Sequence, residues 1–257
     1  YGGAQVRQGD EVVQDLDSQT DTFRDAVDGN APPGALYIVT MGGNDVRNLA
    51  PVTGTPQPPV AGGYAALDKV VQQLINELGQ LINDGARSFL ITGCADVGMI
   101  PDYDIDNDDF LDASEQMRSD TATAYSQYLD LKIQTVVIPA LQARGATVTF
   151  VSMMDGLDAI MPTIEALNNL APGTLTTDSA DHHQLLLNRE AVFFDDIHPN
   201  GQVHALFGSY AQALLTGTAW VETLPLMGAE VDGSLTASIA TAGEVDSLNI
   251  LTVAGTQ

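Results

Sequence analysis

Hydrophobic positions follow two rhythms along this chain. Residues 35–41 (Ala-Leu-Tyr-Ile-Val-Thr-Met) are a short, nearly continuous apolar run, as expected of a strand covered on both faces, residues 88–92 read as a second buried strand and residues 147–151 as a third strand. In between, Leu67, Val70, Val71, Leu74, Ile75, Leu78, Leu81 and Ile82 recur at threes and fours, which predicts an amphipathic helix stopped by Gly85. Residues 114–144 read as a second long helix, disturbed near Pro139, and residues 12–28 as a polar helical stretch closed by the turn chemistry of Asn30-Ala31-Pro32-Pro33-Gly34. Strands alternating with helices predict an α/β domain built on a parallel sheet with helices on both faces. In such a sheet, active sites gather at the carboxyl ends of the strands. The last stretch, residues 231–253, is rich in Thr, Ser, Ala and Val without helical periodicity. The organisation expected is a main domain over residues 1–222 and the beginning of a β-rich segment over 223–257.

Charge narrows the function classes. With 34 Asp and Glu against 9 Lys and Arg, the formal net charge of −25 argues against nucleic acid as a partner. No apolar run of about 18 residues is present, so no transmembrane helix is expected. The single cysteine, Cys94, excludes an intrachain disulfide and is expected to be a small buried hydrophobe beside a strand end. The chain opens at Tyr1-Gly2-Gly3 and not at Met, so its natural N-terminus is expected upstream, with any signal peptide.

Two short motifs could carry chemistry. Gly42-Gly43-Asn44-Asp45 follows the first apolar run directly, and the Asn44 amide could donate to an oxyanion at a strand end. Near the C-terminus, Asp195-Asp196-Ile197-His198-Pro199 precedes an apolar helical segment. An Asp three residues before a His can fix the imidazole tautomer and leave the other ring nitrogen for a nucleophile. Taken singly, Asn44 could equally cap a helix, and Asp-x-x-His could be a capping loop.

Together, and in this order, the motifs resemble those of the SGNH (GDSL) hydrolases, a family with a Gly-Asp-Ser block, a glycine, Gly-x-Asn-Asp and Asp-x-x-His. Gly42-x-Asn44-Asp45 and Asp195-x-x-His198-Pro199 match the last two, and Tyr1-Gly2-Gly3-Ala4 resembles the glycine block. Asp96-Val97-Gly98-Met99-Ile100-Pro101 is similar to a post-strand loop of the family, and the likeness runs over residues 1–217. The resemblance implies a three-layer, flavodoxin-like fold and hydrolysis of carboxylic esters of small molecules or lipids, with no organic cofactor, in a secreted or cell-surface setting. By position it makes His198 the general base and Asp195 its orienting partner. Asn44 and the backbone N–H of Gly3 (with Gly2 as the adjacent alternative) would donate to the oxyanion. No Gly-Asp-Ser occurs in the chain. The nucleophile is therefore expected upstream of Tyr1, and these residues alone are expected to be inactive. Asp17-Ser18 lies in a polar helical stretch and Gly208-Ser209 inside the helix after His198, so neither substitutes for that block.

One acidic stretch remains. Asp104, Asp106, Asp108, Asp112 and Glu115 fall at positions 1, 3, 5, 9 and 12 of an EF-hand-like loop, which would hold a structural calcium ion. Asp109 stands where such loops carry glycine. The alternative is an acidic loop before a helix, with Asp112 and Ser114 as caps and Glu115 near the helix N-terminus. A hydrolytic metal centre from Asp181, His182, Asp195 and His198 is a weaker construction, because adjacent histidines point apart. The rival to an enzyme is a calcium-dependent adhesion or carbohydrate-binding module on a hydrolase scaffold that has lost catalysis.

Overall fold

The computed structural model describes residues 5–6, 15–106, 111–167, 176–179, 191–218 and 220. These belong to two compact units, one formed by the residues up to 154 without 100–102, the other by 100–102 and the residues from 155 onward.

In the first unit β1 (Leu36–Val39), β2 (Ser88–Thr92) and β3 (Thr147–Val151) form a parallel sheet in the order β1-β2-β3. The strands are in step: Ile91 lies between Val39 and Phe150, and Ser88 between Leu36 and Thr147. β2 takes the centre, and Phe89, Leu90 and Ile91 are buried on whichever face they point to. Its continuous apolar run is what that position demands. With its flanking helices the unit is the α/β arrangement expected from the sequence.

The flanking helices of this unit are α1 (Leu16–Ala26), α2 (Gly43–Leu49), α3 (Ala61–Asn83), α4 (Ala113–Lys132) and α5 (Ile138–Gln142). α3 buries every one of the apolar positions that predicted it, from Leu67 to Ile82. Gly85 ends it at φ +123°, where a Cβ would lie 2.6 Å from the Ala31 carbonyl oxygen. The helix expected over residues 114–144 is interrupted. A π turn spans Ile133–Val137 between α4 and α5, immediately before Pro139. Proline has no N–H to give to the carbonyl four residues back and its ring clashes there, so the backbone widens by one residue.

α4 also pins the Pro- and Gly-rich loop that follows α2. Arg118 donates to the Gly54 carbonyl, Thr121 Oγ1 to that of Gln57 at 2.7 Å, and the Val60 N–H donates to Tyr125 Oη at 3.0 Å.

In the second unit, α6 (Met153–Leu167), the parallel pair β4 (Thr176–Ser179) and β5 (Ala191–Phe193), and α7 (Gly201–Thr216) are described. Ile160, Ile164, Val192, Phe193, Val203 and Leu206 form its core, with Trp220 packed against it. α7 starts at Asn200, whose side chain accepts the Val203 N–H at 3.0 Å, and ends at Gly217 with φ +65°. The expected β-rich segment over 223–257 lies outside the described residues.

The fold makes Leu78, fully buried on α3, one of its main packing residues. Leu78→Ala is expected to cost about 2–5 kcal/mol, measured as a lower urea midpoint with an unchanged slope.

Candidate active site

β1 ends at Val39, and Thr40 and Met41 lead into Gly42, the residue before α2, at φ +111°. That conformation favours glycine, and a Cβ at Gly42 would lie 2.8 Å from Leu129 Cδ2. The chain can therefore turn straight from strand to helix. Asn44 occupies the first turn of α2, half-buried, and Asp45 beside it is only 4% exposed.

Asp45 reaches far along the sequence. Its Oδ2 accepts the Val6 N–H at 2.8 Å. Neighbouring Gln5 is held from the other side: its N–H donates to Asp15 Oδ1 at 3.0 Å, and its carbonyl accepts the Leu16 N–H at 3.0 Å. Neither tether was anticipated from the sequence, because a long-range carboxylate-to-backbone contact leaves no local pattern. Gly3, a few residues upstream, lies outside the described residues.

The Asp-x-x-His motif folds as a closed hook in the second unit. The Phe194 N–H donates to the His198 carbonyl at 2.8 Å and the Asn200 N–H to that of Val192 at 2.9 Å, closing its neck. The Asp102 N–H donates to the Asp196 carbonyl at 3.0 Å. Asp195 Oδ1 accepts the backbone N–H groups of Ile197 at 2.8 Å and His198 at 2.6 Å, while its Oδ2 lies 2.8 Å from His198 Nδ1. An ionised carboxylate there requires the proton on Nδ1, so Nε2 keeps its lone pair. The His198 side chain is 68% exposed, so that lone pair is open to a reacting group. Partial burial pushes the Asp195 carboxyl upward, but the His198 N–H, the His198 ring and the Ile197 N–H outweigh it and hold the group below its ordinary value.

The acidic stretch is divided. Asp104, Asp106 and Glu115 bring carboxylate oxygens within 4.8 Å of one another and could hold a cation. Asp112 caps α4, accepting the N–H groups of Ser114 at 2.6 Å and Glu115 at 2.9 Å. Glu115 completes the capping box by accepting the Asp112 N–H at 2.8 Å, and its other oxygen takes the Ile105 N–H at 2.8 Å. Asp108, His182 and His183 lie outside the described residues.

Cys94 follows β2 and is 1% exposed. Burial pushes its thiol up to about 12, with the carboxylates of Asp130, Asp45 and Asp96 adding to the effect, so it is held as an inert thiol. Ser18 sits on the exposed side of α1, and Ser209 lies inside α7.

The sequence profile of the GDSL-like lipase/acylhydrolase family matches residues 1–211. The chain belongs to that family. No match was found among curated proteins. The GDSL-like lipase/acylhydrolases are hydrolases of acyl substrates, and this member carries the strand-end Asn44 and the Asp195–His198 hook within the matched region.

Two outcomes are expected. Gly42→Ala should cost about 1–3 kcal/mol, seen in urea denaturation, because both the backbone and Leu129 oppose a Cβ. A cation at Asp104, Asp106 and Glu115 would raise the melting temperature in calcium relative to chelator; an unchanged melting temperature would leave the capping box as the role of that cluster.

Proposed function

We propose that the chain provides the base and the oxyanion donors of a carboxylic ester hydrolase whose nucleophilic serine lies outside these residues. The observation that carries the reading is the closed Asp195–His198 hook, with Nδ1 held on the carboxylate at 2.8 Å and Nε2 open. In such a site the His198 Nε2 takes the serine proton as Oγ attacks the ester carbonyl, then returns it to the leaving alkoxide. Asp195 stays ionised, holds the tautomer and stabilises the imidazolium. The Asn44 amide and the Gly3 N–H would donate to the oxygen that becomes negative, each worth about 10²–10³-fold in kcat in related chemistry. The substrate is a small-molecule or lipid ester.

The sheet supports a place for the missing group. Among the described residues no strand pairs with the outer edge of β1. A cavity of about 340 Å³ is lined there by Tyr37, Ile38, Val39, Thr40 and Met41 together with residues of α1 and α3. Consecutive strand residues point to opposite faces. A cavity that touches all of them runs along the strand edge, where a further parallel strand would end beside Gly42 and Asn44.

The test uses the polypeptide extended upstream to include the serine, assayed on p-nitrophenyl esters. His198→Ala should lower kcat by several orders of magnitude, and Asp195→Asn by about 10³–10⁴-fold through the wrong tautomer, with the fold kept in both. Because the Asp195 carboxyl is held below its ordinary 3.8, the stability it contributes is fully present above that pH and is lost only as pH falls through the lower folded value. Hydrolysis retained in His198→Ala would remove the hook from the mechanism, and no hydrolysis by the extended protein would favour a binding module.

A further inference from the structure

We propose that Phe194 receives the alcohol half of the ester and selects substrates whose leaving group is apolar, above all aromatic. This rests on the reading of His198 as the general base. An ester offers two groups to recognise, the acyl group and the alcohol. The base returns its proton to the alcohol oxygen, so the alcohol is the half that lies beside the imidazole.

The hook places one large apolar side chain there. β5 carries Val192 and Phe193 into the core of the second unit, whereas Phe194, the next residue, is 51% exposed. Phe193 pairs with Pro199 in an antiparallel bridge. The Asn200 N–H donates to the Val192 carbonyl on one side of that bridge, and the Phe194 N–H to the His198 carbonyl on the other. In this register Phe194 stands directly opposite His198. Directly opposite residues of an antiparallel pair send their side chains to the same face, with Cβ atoms about 4.5–5.5 Å apart, and the next pair along, Phe193 and Pro199, takes the other face. The core therefore ends at Phe193, and the hook projects beyond it with the exposed Phe194 and the exposed His198 on one side.

The backbone holds the two residues in this relation. Besides the two bonds across the neck, Asp195 Oδ1 accepts the N–H groups of Ile197 and His198, and its Oδ2 lies 2.8 Å from His198 Nδ1. The imidazole thus keeps one orientation while Nε2 faces the reacting group. A phenyl side chain has only two χ angles, so it gives contact area at little cost in conformational freedom. A second ring set offset or edge-on against it is attracted beyond what the buried area supplies. A lone exposed apolar side chain needs no functional explanation; Phe194 differs in standing opposite the base.

The experiment compares Phe194→Ala, Phe194→Leu, Phe194→Tyr and His198→Ala in the serine-bearing polypeptide, on two pairs of esters. Benzyl acetate and methyl acetate share the acyl group and differ in the alcohol. p-Nitrophenyl acetate and p-nitrophenyl butyrate share the alcohol and differ in the acyl group. The ratio of kcat/KM within a pair cancels the fraction of folded enzyme, so a variant that is merely destabilised leaves it unmoved. Phe194→Ala should lower the benzyl-to-methyl ratio by about 3–10-fold and keep the butyrate-to-acetate ratio of the parent. Phe194→Leu should fall between Phe194→Ala and the parent, and Phe194→Tyr should restore the ratio. A benzyl-to-methyl ratio equal to that of the parent in Phe194→Ala, while His198→Ala loses hydrolysis, overturns the role of Phe194 and leaves the base in place. A change confined to the butyrate-to-acetate ratio also overturns it, because the contact would then be with the acyl group. If His198→Ala keeps full hydrolysis, the reading of the hook fails and the proposal fails with it. Should Phe194→Ala not fold, Phe194→Leu decides by the same two ratios.

Discussion

A sheet of parallel strands cannot be closed by tight hairpins, so every strand must be followed by a crossover, and every post-strand turn opens at the same end of the sheet. That constraint organises the first unit. Burial of β2 on both faces forces helices to cover the sheet, and the crossovers supply them. Gly42 lets the chain enter α2 three residues after β1 ends. At the corresponding end of β2, a Cβ on Gly93 would lie 1.8 Å from Asp130 Oδ1, so a side chain there would have to displace the Asp130 carboxylate. Asn44 and Cys94 both lie just past the carboxyl ends of strands in this unit.

The charge balance explains how many of the carboxylates are held. With 34 acidic residues and 9 basic ones, most carboxylates cannot find a guanidinium or ammonium partner. The chain satisfies many of them with backbone N–H groups. Asp45 takes that of Val6, Asp15 that of Gln5, Asp112 those of Ser114 and Glu115, and Asp195 those of Ile197 and His198. A bond to the backbone fixes chain geometry, whereas a surface ion pair fixes two flexible side chains and contributes little. In the Asp195 hook the same device leaves one oxygen for the imidazole. In Asp45 it joins segments that are distant in sequence.

What could be read from the sequence alone follows from how local each signal is. β2 was visible with its full extent because a central strand buried at four of its five positions carries an apolar run, and β3 because Val148, Phe150 and Val151 mark a strand-like stretch. The contacts of α3 were visible in its spacing, and Pro139 announced a break whose form, a π turn, depends on how the next turn packs. The Asp195–His198 pairing was legible because both partners lie within one turn. By contrast, α6 carries Pro162 within it and was not anticipated, β4 is too polar for a periodic signal, and β5, though apolar, is too short for one. The EF-hand spacing illustrates a different failure: the same acidic residues satisfy a metal loop and a capping box on paper. In the structure Asp112 and Glu115 build the cap, while Asp104 and Asp106 approach Glu115. The tether from Asp45 to Val6 was invisible, since nothing in either segment marks the other.

The central claim is that His198, oriented by Asp195, activates a serine that these residues do not contain. It is tested most directly by labelling the polypeptide extended upstream of Tyr1 with a fluorophosphonate and locating the adduct by mass spectrometry. The account predicts a single labelled serine upstream of Tyr1, and labelling that is lost in His198→Ala. An adduct on Ser18 or Ser209, or labelling that persists without the His198 imidazole, would contradict it.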